Sequence, residues 1–351
     1  MRLFAFGSNG SGQLGLGHEF DLSTPAPVGL QCSPKTSFYA FAAGGNHSLL
    51  LNERGECFGT GVPSHRGHDN SAEQTAVNTF SPVESPLNNA AVQVRAVSAT
   101  WAASFLLKDN SVFVTGTGDS GELGLGEGIV RADVWQQLPN FPPEGSRIVQ
   151  LTSCMGHTVA VVSTGQVYGW GKGRKGQLGQ PAEDVWSPRK LEDVQFHVEQ
   201  VVCGRDFTCL IGDSSEGRIK VLGSDGRDRF CIKANAPEAV PYWSDIAASW
   251  GSIFILEESG SVVSWGRNDR GQLPPSKLPA IIKLAAGSEH CLAITEDGKL
   301  LAWGWGEHGN CGEPTNASGN VQGHWNEIQV PGKVHSVFAG CATSFVLAED
   351  D

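Results

Sequence analysis

Three segments carry glycines in the order that nucleotide-binding loops use: Gly116-x-Gly118-x-x-Gly121, Gly171-x-Gly173-x-x-Gly176 and Gly304-x-Gly306-x-x-Gly309. In a dinucleotide site, a helix opens on the last glycine so that its free amides meet the pyrophosphate. Here turn residues follow instead, and all three segments fall at one place in a longer repeat. The glycines therefore read as turns that need positive φ. His308 and Cys311, with Glu307 and Cys341, have the residue types of a metal site, but the HxxC spacing has no matching second pair. No serine or cysteine has the context of an activated nucleophile, and no carboxylate pair stands out. These residues predict no enzyme, no resident metal and no cofactor.

The elements that carry these residues repeat along the whole chain. A short apolar run ending in glycine recurs at Gly7, Gly61, Gly116, Gly171, Gly223, Gly266 and Gly304, at intervals of 38 to 55 residues. Most copies lead into a turn such as Gly12-Gln13-Leu14-Gly15 or Gly176-Gln177-Leu178-Gly179; those at Gly61 and Gly223 do not. A second unit precedes each later copy, clearest at Ala285 to Ile294: a small-residue approach, a tight turn, then a run of apolar residues. Runs this short, bounded by glycine, read as buried strands. Turns such as Glu53-Arg54-Gly55 join the two units into hairpins. Weaker strands, several beginning at proline, suit an outer edge position, which gives about four strands per period, the content of a propeller blade. The stretch after Gly266 holds Pro274, Pro275 and Pro279, so that blade is expected to be reduced.

The chain opens on a glycine-ended strand with no partner before it and closes on Val337 to Leu347, a partner strand with nothing after it. Pairing the two closes the ring and removes its open edges. The prediction is an all-β, seven-bladed propeller occupying residues 1–351 as one domain, with a polar surface insertion at about 63–89.

Composition narrows the function. A formal charge of −12 argues against direct binding to nucleic acid or to an anionic membrane, both of which need a basic surface. Nine cysteines without a CxxC pair read as reduced intracellular thiols. No apolar run approaches the length of a membrane span.

His47, His157 and His290 share a repeat column with Ala103, Phe207, Ser252 and Thr343, which marks a packing position. The variable turn before that column is more informative. In a propeller such turns gather around one mouth of the central channel. They present Asn46, Trp101, Arg205, Asp206, Trp250 and Glu289, with His290 adjoining. Trp305, Glu307 and His308 follow a strand antiparallel to the first of its hairpin, so they return to the same side. Tryptophan and arginine dominate binding hot spots, so these ten residues form the candidate partner-binding face. The alternative is that Trp101 and Trp250 simply lid the channel.

The segments AGGNHSLLL, AAGSEHCLAI and YGWGKGRKGQLG resemble the repeats of the regulator of chromosome condensation family over essentially the whole chain. More narrowly, FAFGSNGSGQLGLGHEFDLSTP, WGWGEHGNCGEP and FAGCATSFVL are similar to the fungal alpha-tubulin suppressor, or killer-toxin-insensitivity, propellers. The broad resemblance implies a seven-bladed propeller. The narrow one implies a non-enzymatic adaptor that forms a heterodimer with the small CSL-type zinc-finger protein of diphthamide synthesis. It also implies support of Elongator-dependent wobble-uridine modification of tRNA, with Elongator an indirect partner, and a cytoplasmic location with the nucleus a second compartment. The alternatives are a guanine nucleotide exchange factor for a Ran-like small GTPase and a microtubule-related binding protein. The chain lacks the basic tail of the founding member, which counts against exchange and chromatin binding. The segments at Val62 to His68 and Arg227 to Phe230 match the family poorly and receive no role.

Overall fold

A computed structural model describes residues 1–30, 36–66, 77–84, 93–192, 194–224 and 228–349. Seven antiparallel sheets stand in a ring. Blade one is Phe38–Ala43, His47–Asn52, Cys57–Gly61 and Val77–Pro82, from the channel outward. Blade two is Val94–Ala99, Ala103–Lys108, Ser111–Thr117 and Arg131–Gln137; blade three is Ile148–Cys154, His157–Val162, Val167–Gly171 and Val185–Lys190. Blade four has three strands, Gln200–Cys203, Phe207–Ile211 and Ile219–Gly223, and so does blade five, Trp243–Ala248, Ser252–Glu257 and Val262–Gly266. Blade six is Ile281–Ala286, His290–Thr295, Leu300–Trp305 and Asn320–Ile328. Blade seven joins both ends of the chain: Val334–Ala339, Thr343–Ala348, Arg2–Gly7 and Leu22–Pro27. Among the described residues there is one short 3₁₀ turn, Pro63–His65, and no α-helix.

Blade five lacks its outer strand, as the prolines after Gly266 suggest. Blade four, whose repeat copy at Gly223 departs from the pattern, is reduced as well. Its outer strand shrinks to one bridge between Arg218 and Ala239. The expected insertion at 63–89 is only partly described, and Val77–Pro82 within it is the outer strand of blade one rather than irregular surface.

The second strand of each blade is buried along nearly its whole length, because both of its faces pack against neighbouring blades. Continuous runs such as Leu49-Leu50-Leu51 and Val159-Ala160-Val161-Val162 follow from that two-sided burial. The GQLG turn is also explained. Gln13, Gln177 and Gln272 are buried, and each side-chain oxygen accepts the amide two residues earlier, at 2.8–2.9 Å. Each turn then packs under the next blade, where Trp303 Nε1 donates to the carbonyl of Gln272 at 3.1 Å.

The histidine column joins blade to blade. His47 Nε2 meets Ser104 Oγ at 2.9 Å, His157 Nε2 meets Thr208 Oγ1 at 3.0 Å, and His290 Nε2 meets Ser344 Oγ at 2.9 Å. Each hydroxyl gives its single proton to a loop carbonyl, of His65, Gln177 and Asn310 respectively. It must therefore accept from Nε2–H, which fixes the neutral tautomer. Burial pushes these histidines far below their ordinary range, to about 3 for His47, where His65 and Arg66 add repulsion, and to about 4 for His157 and His290.

Two predictions follow from this architecture. Arg2–Gly7 pairs with Thr343–Ala348 from Arg2↔Ala348 to Gly7↔Thr343 and buries Leu3, Phe4, Ala5 and Phe6. Deleting residues 1–8 uncovers that core and opens a sheet edge, so it should lower stability by about several kcal/mol. An eight-residue deletion that melts like the full chain would contradict the closure. The histidines predict acid lability. The unfolded chain binds their protons below about pH 6.5, while the folded chain refuses them until about pH 3–4. Stability should therefore be fully present above pH 6.5 and fall by roughly 1 kcal/mol per histidine per pH unit below it. Urea denaturation at pH 7 and pH 5 reads this. Equal stability at the two pH values would contradict it.

Candidate functional site

The first strand of every blade lines a central channel, a cavity of about 260 Å³. The variable turns at the ends of these strands ring one mouth, and backbone bonds tie them together. Gly45 N donates to Trp101 O at 2.9 Å, Trp101 N to Met155 O at 2.7 Å, Arg205 N to Trp250 O at 3.0 Å, and Trp250 N to Ser288 O at 3.0 Å. A second bond fixes each turn within its own blade. The residue after the strand-ending glycine donates its amide to the turn carbonyl, as in Val62 to Asn46 O at 3.0 Å, Arg267 to Gly251 O at 2.8 Å and Trp305 to Glu289 O at 2.9 Å. The mouth is thus lined by pairs, a turn residue and the residue that follows the glycine.

Trp101 and Trp250 come from blades two and five and meet over the mouth, with ring centroids 6.1 Å apart. The Trp101 ring also lies on Gly45, where a Cβ would stand 2.5 Å from the indole. They do lid the channel, yet Trp101 keeps 43% of its surface exposed. Trp250 also lines a second and larger hollow.

That hollow, about 960 Å³, lies beside the mouth across blades three to six. The turn of blade four supplies exposed Arg205 and Asp206, and the loop after blade three supplies exposed Lys175. The segment 228–232 forms the far wall. Here the GQLG turn is missing, and Asp228 takes over its role by accepting the amides of Ile232, Lys233 and Ala234 at 2.6–2.9 Å. Ile232 is buried, and its carbonyl accepts Trp265 Nε1 at 2.8 Å, the bond that Gln272 makes to Trp303 one blade later. The substitute loop holds Phe230 at the surface with Arg229 and Arg267 on it, each guanidinium 5.2 Å from the ring centroid. Arg267 is itself held by Asp269, with Nε–Oδ1 at 2.6 Å and Nη2–Oδ2 at 3.0 Å, and by Glu289 through Nη1. Lys175, Arg205 and Arg229 make no side-chain ion pair among the described residues.

The structure brings Arg205, Asp206, Trp250 and Glu289 to this one cleft, with Trp101 touching Trp250 at its edge. Trp305, Glu307 and His308 form an adjoining group. Arg270 stacks on Trp305 at 5.0 Å, Trp305 Nε1 donates to Glu307 at 3.0 Å, and His308 Nδ1 pairs with Asp21 of blade seven at 2.7 Å. Two of the expected residues are not presented to a partner. Glu289 is buried, because Arg267 and Gln272 (Nε2 to Oε2, 2.6 Å) draw its carboxylate inward. His290 is buried in the inter-blade bond to Ser344 and presents nothing to a partner. Asn46 keeps its expected place in the mouth turns, half-buried on blade one and outside the lining of the larger hollow. Sequence reasoning missed Lys175, Arg229, Phe230 and Arg267. Arg267 shares the repeat column of Trp305, a signal that could have found it. Arg229 and Phe230 sit where the repeat fails, so no column points to them.

The RCC1-like domain family model matches residues 2–348. The chain belongs to the RCC1-like domain family. This RCC1-like propeller is 29% identical to an RCC1 repeat-containing protein of Schizosaccharomyces pombe over 99% of both chains. It is 27% identical to the secretion-regulating guanine nucleotide exchange factor of Bos taurus, over 99% of this chain and 82% of that one. It is also 27% identical to the human regulator of chromosome condensation, over 99% of this chain and 90% of that one. Among solved structures, Prp20p of Saccharomyces cerevisiae superposes with a TM-score of 0.84 at 20% identity, over 100% of this chain and 92% of that one. Human WBSCR16 gives 0.82 at 20% identity over 100% of both chains. These two show the fold.

Removing the Glu289 carboxylate leaves Arg267 and Gln272 facing each other without their acceptor. Glu289→Ala should therefore cost about 2 kcal/mol of stability, below the range for a fully buried pair because Arg267 remains partly exposed. Chemical denaturation checks it. A Glu289→Ala protein as stable as the parent would show that the carboxylate is not structural.

Proposed function

We propose that this RCC1-like propeller is a non-enzymatic adaptor that holds a small partner protein on its channel-mouth face. The observation that carries the reading is the cleft beside Trp250, where exposed cations and two aromatic rings stand together on a rigid rim. Aromatic and arginine anchors on a preformed surface are what protein recognition uses. The sequence resemblance to the killer-toxin-insensitivity propellers supports, as that partner, the small CSL-type zinc-finger protein of diphthamide synthesis, bound as a heterodimer. Through it the propeller would support diphthamide formation and Elongator-dependent wobble-uridine modification.

A second reading is favoured by the relatives: an exchange factor for a Ran-like small GTPase. One relative matching 99% of this chain is named a guanine nucleotide exchange factor. Labelled-GDP release from such GTPases separates the two readings, and acceleration by this chain would displace the adaptor proposal.

The adaptor reading predicts that the purified zinc-finger protein binds the chain directly. Trp101→Ala, Trp250→Ala and Arg205→Ala should each weaken binding by about 2 kcal/mol or more. Titration calorimetry measures the affinities, and a melting curve for each variant shows whether the loss is in binding or in folding. Folded variants that bind like the parent would place the interface elsewhere.

A further inference from the structure

The cleft has a chemical character of its own, set against a chain that is strongly acidic. Lys175, Arg205 and Arg229 line it without side-chain ion pairs among the described residues, and Asp206 stands exposed beside them. Arg267 is already neutralised by Asp269 and Glu289, and Asp228 is committed to three backbone amides. The balance left for a ligand is therefore cationic. Phe207 and Ile232 line the cleft but are buried, so its accessible apolar content is Phe230, held by the guanidinium groups of Arg229 and Arg267, and the flank of Trp250, fixed by its contact with Trp101. Neither ring has to be ordered on binding, which lowers the entropic cost of association.

We propose that this cleft receives an acidic peptide segment of the partner, with an aromatic or large apolar side chain seated between Phe230 and Trp250. Carboxylates flanking that side chain meet Arg229 on one wall and Arg205 and Lys175 on the other. Guanidinium groups bind carboxylates with two parallel hydrogen bonds, so the two arginines set the register of the segment. A nucleic acid fits less well. Exposed Asp206 stands beside Arg205 on the same wall and would repel a ligand charged at every residue. A peptide can place its acids only where the cations are. The inference rests on the channel-mouth reading of function and adds the chemistry of what enters.

The test uses the full chain and three fluorescein-labelled probes: a synthetic peptide of glutamate and aspartate around a central tryptophan, the same peptide with lysine for every acid, and a short single-stranded RNA. Fluorescence anisotropy should show the acidic peptide binding at least tenfold tighter than either of the others, with affinity falling as salt rises. Arg229→Ala and Arg205→Ala should each weaken it about tenfold. Arg229→Glu should reverse the preference toward the lysine peptide. Both arginines are exposed, and unchanged melting curves confirm that the variants fold. The inference is overturned if the two peptides bind alike, if the variants bind the acidic peptide like the parent, or if the RNA binds tightest. Its failure is distinct from that of the adaptor reading. A zinc-finger partner that binds equally well to Arg229→Glu leaves the adaptor standing and overturns the cleft. Acidic-peptide binding without any zinc-finger partner does the reverse.

Discussion

One contact organises the ring. At each strand-ending glycine, φ lies between 92° and 117°, and a carbonyl oxygen of the variable turn occupies the space that a Cβ would need. A Cβ at Gly61 would stand 2.2 Å from the carbonyl of Asn46, and one at Gly304 would stand 2.6 Å from that of Glu289. No other residue tolerates both the backbone angle and the approach. The amide after each glycine then donates to that same carbonyl, in all seven blades, at 2.7–3.0 Å. The turn backbone is pinned while its side chain is left free to vary, so a rigid fold can carry a changeable surface.

The face that results depends on where the repeat is kept and where it is abandoned. Blade five keeps it after Gly266, and Gln272 serves the loop and, in blade six, the indole of Trp303 and the carboxylate of Glu289 together. Blade four abandons it after Gly223. Asp228 caps the replacement loop and the carbonyl of Ile232 replaces that of glutamine, so the packing under Trp265 survives while Arg229 and Phe230 are set out over the cleft. Structural bonds are kept within the molecule, and the loss of the motif supplies the wall of the candidate cleft.

The architecture was legible in the sequence because its determinants are local. Glycine-ended runs, apolar second strands and unmatched ends are all visible as residue types at fixed offsets. The site was legible only in part. Arg205, Asp206 and Trp250 lie in the turn column and reach the cleft. Glu289 lies in the same column but is pulled inward by Arg267, which comes from the neighbouring blade. His290 adjoins the turn, yet it packs on Gly287 and bonds to Ser344 in blade seven. Such contacts between blades depend on the ring closing and have no signature in a single repeat. Phe230 and Arg229 were invisible for the opposite reason: they stand where there is no repeat to read.

The central claim is that the mouth beside blades four to six is the binding face of this propeller. Amide hydrogen exchange of the full chain, free and saturated with the purified zinc-finger protein proposed as its partner, tests it most directly. The account predicts slowed exchange in the turns at 205–206 and 250–251, in the loop at 228–235 and after Gly304, with the outer strands unchanged. Protection confined to the outer strands, or to the opposite mouth of the channel, would contradict it.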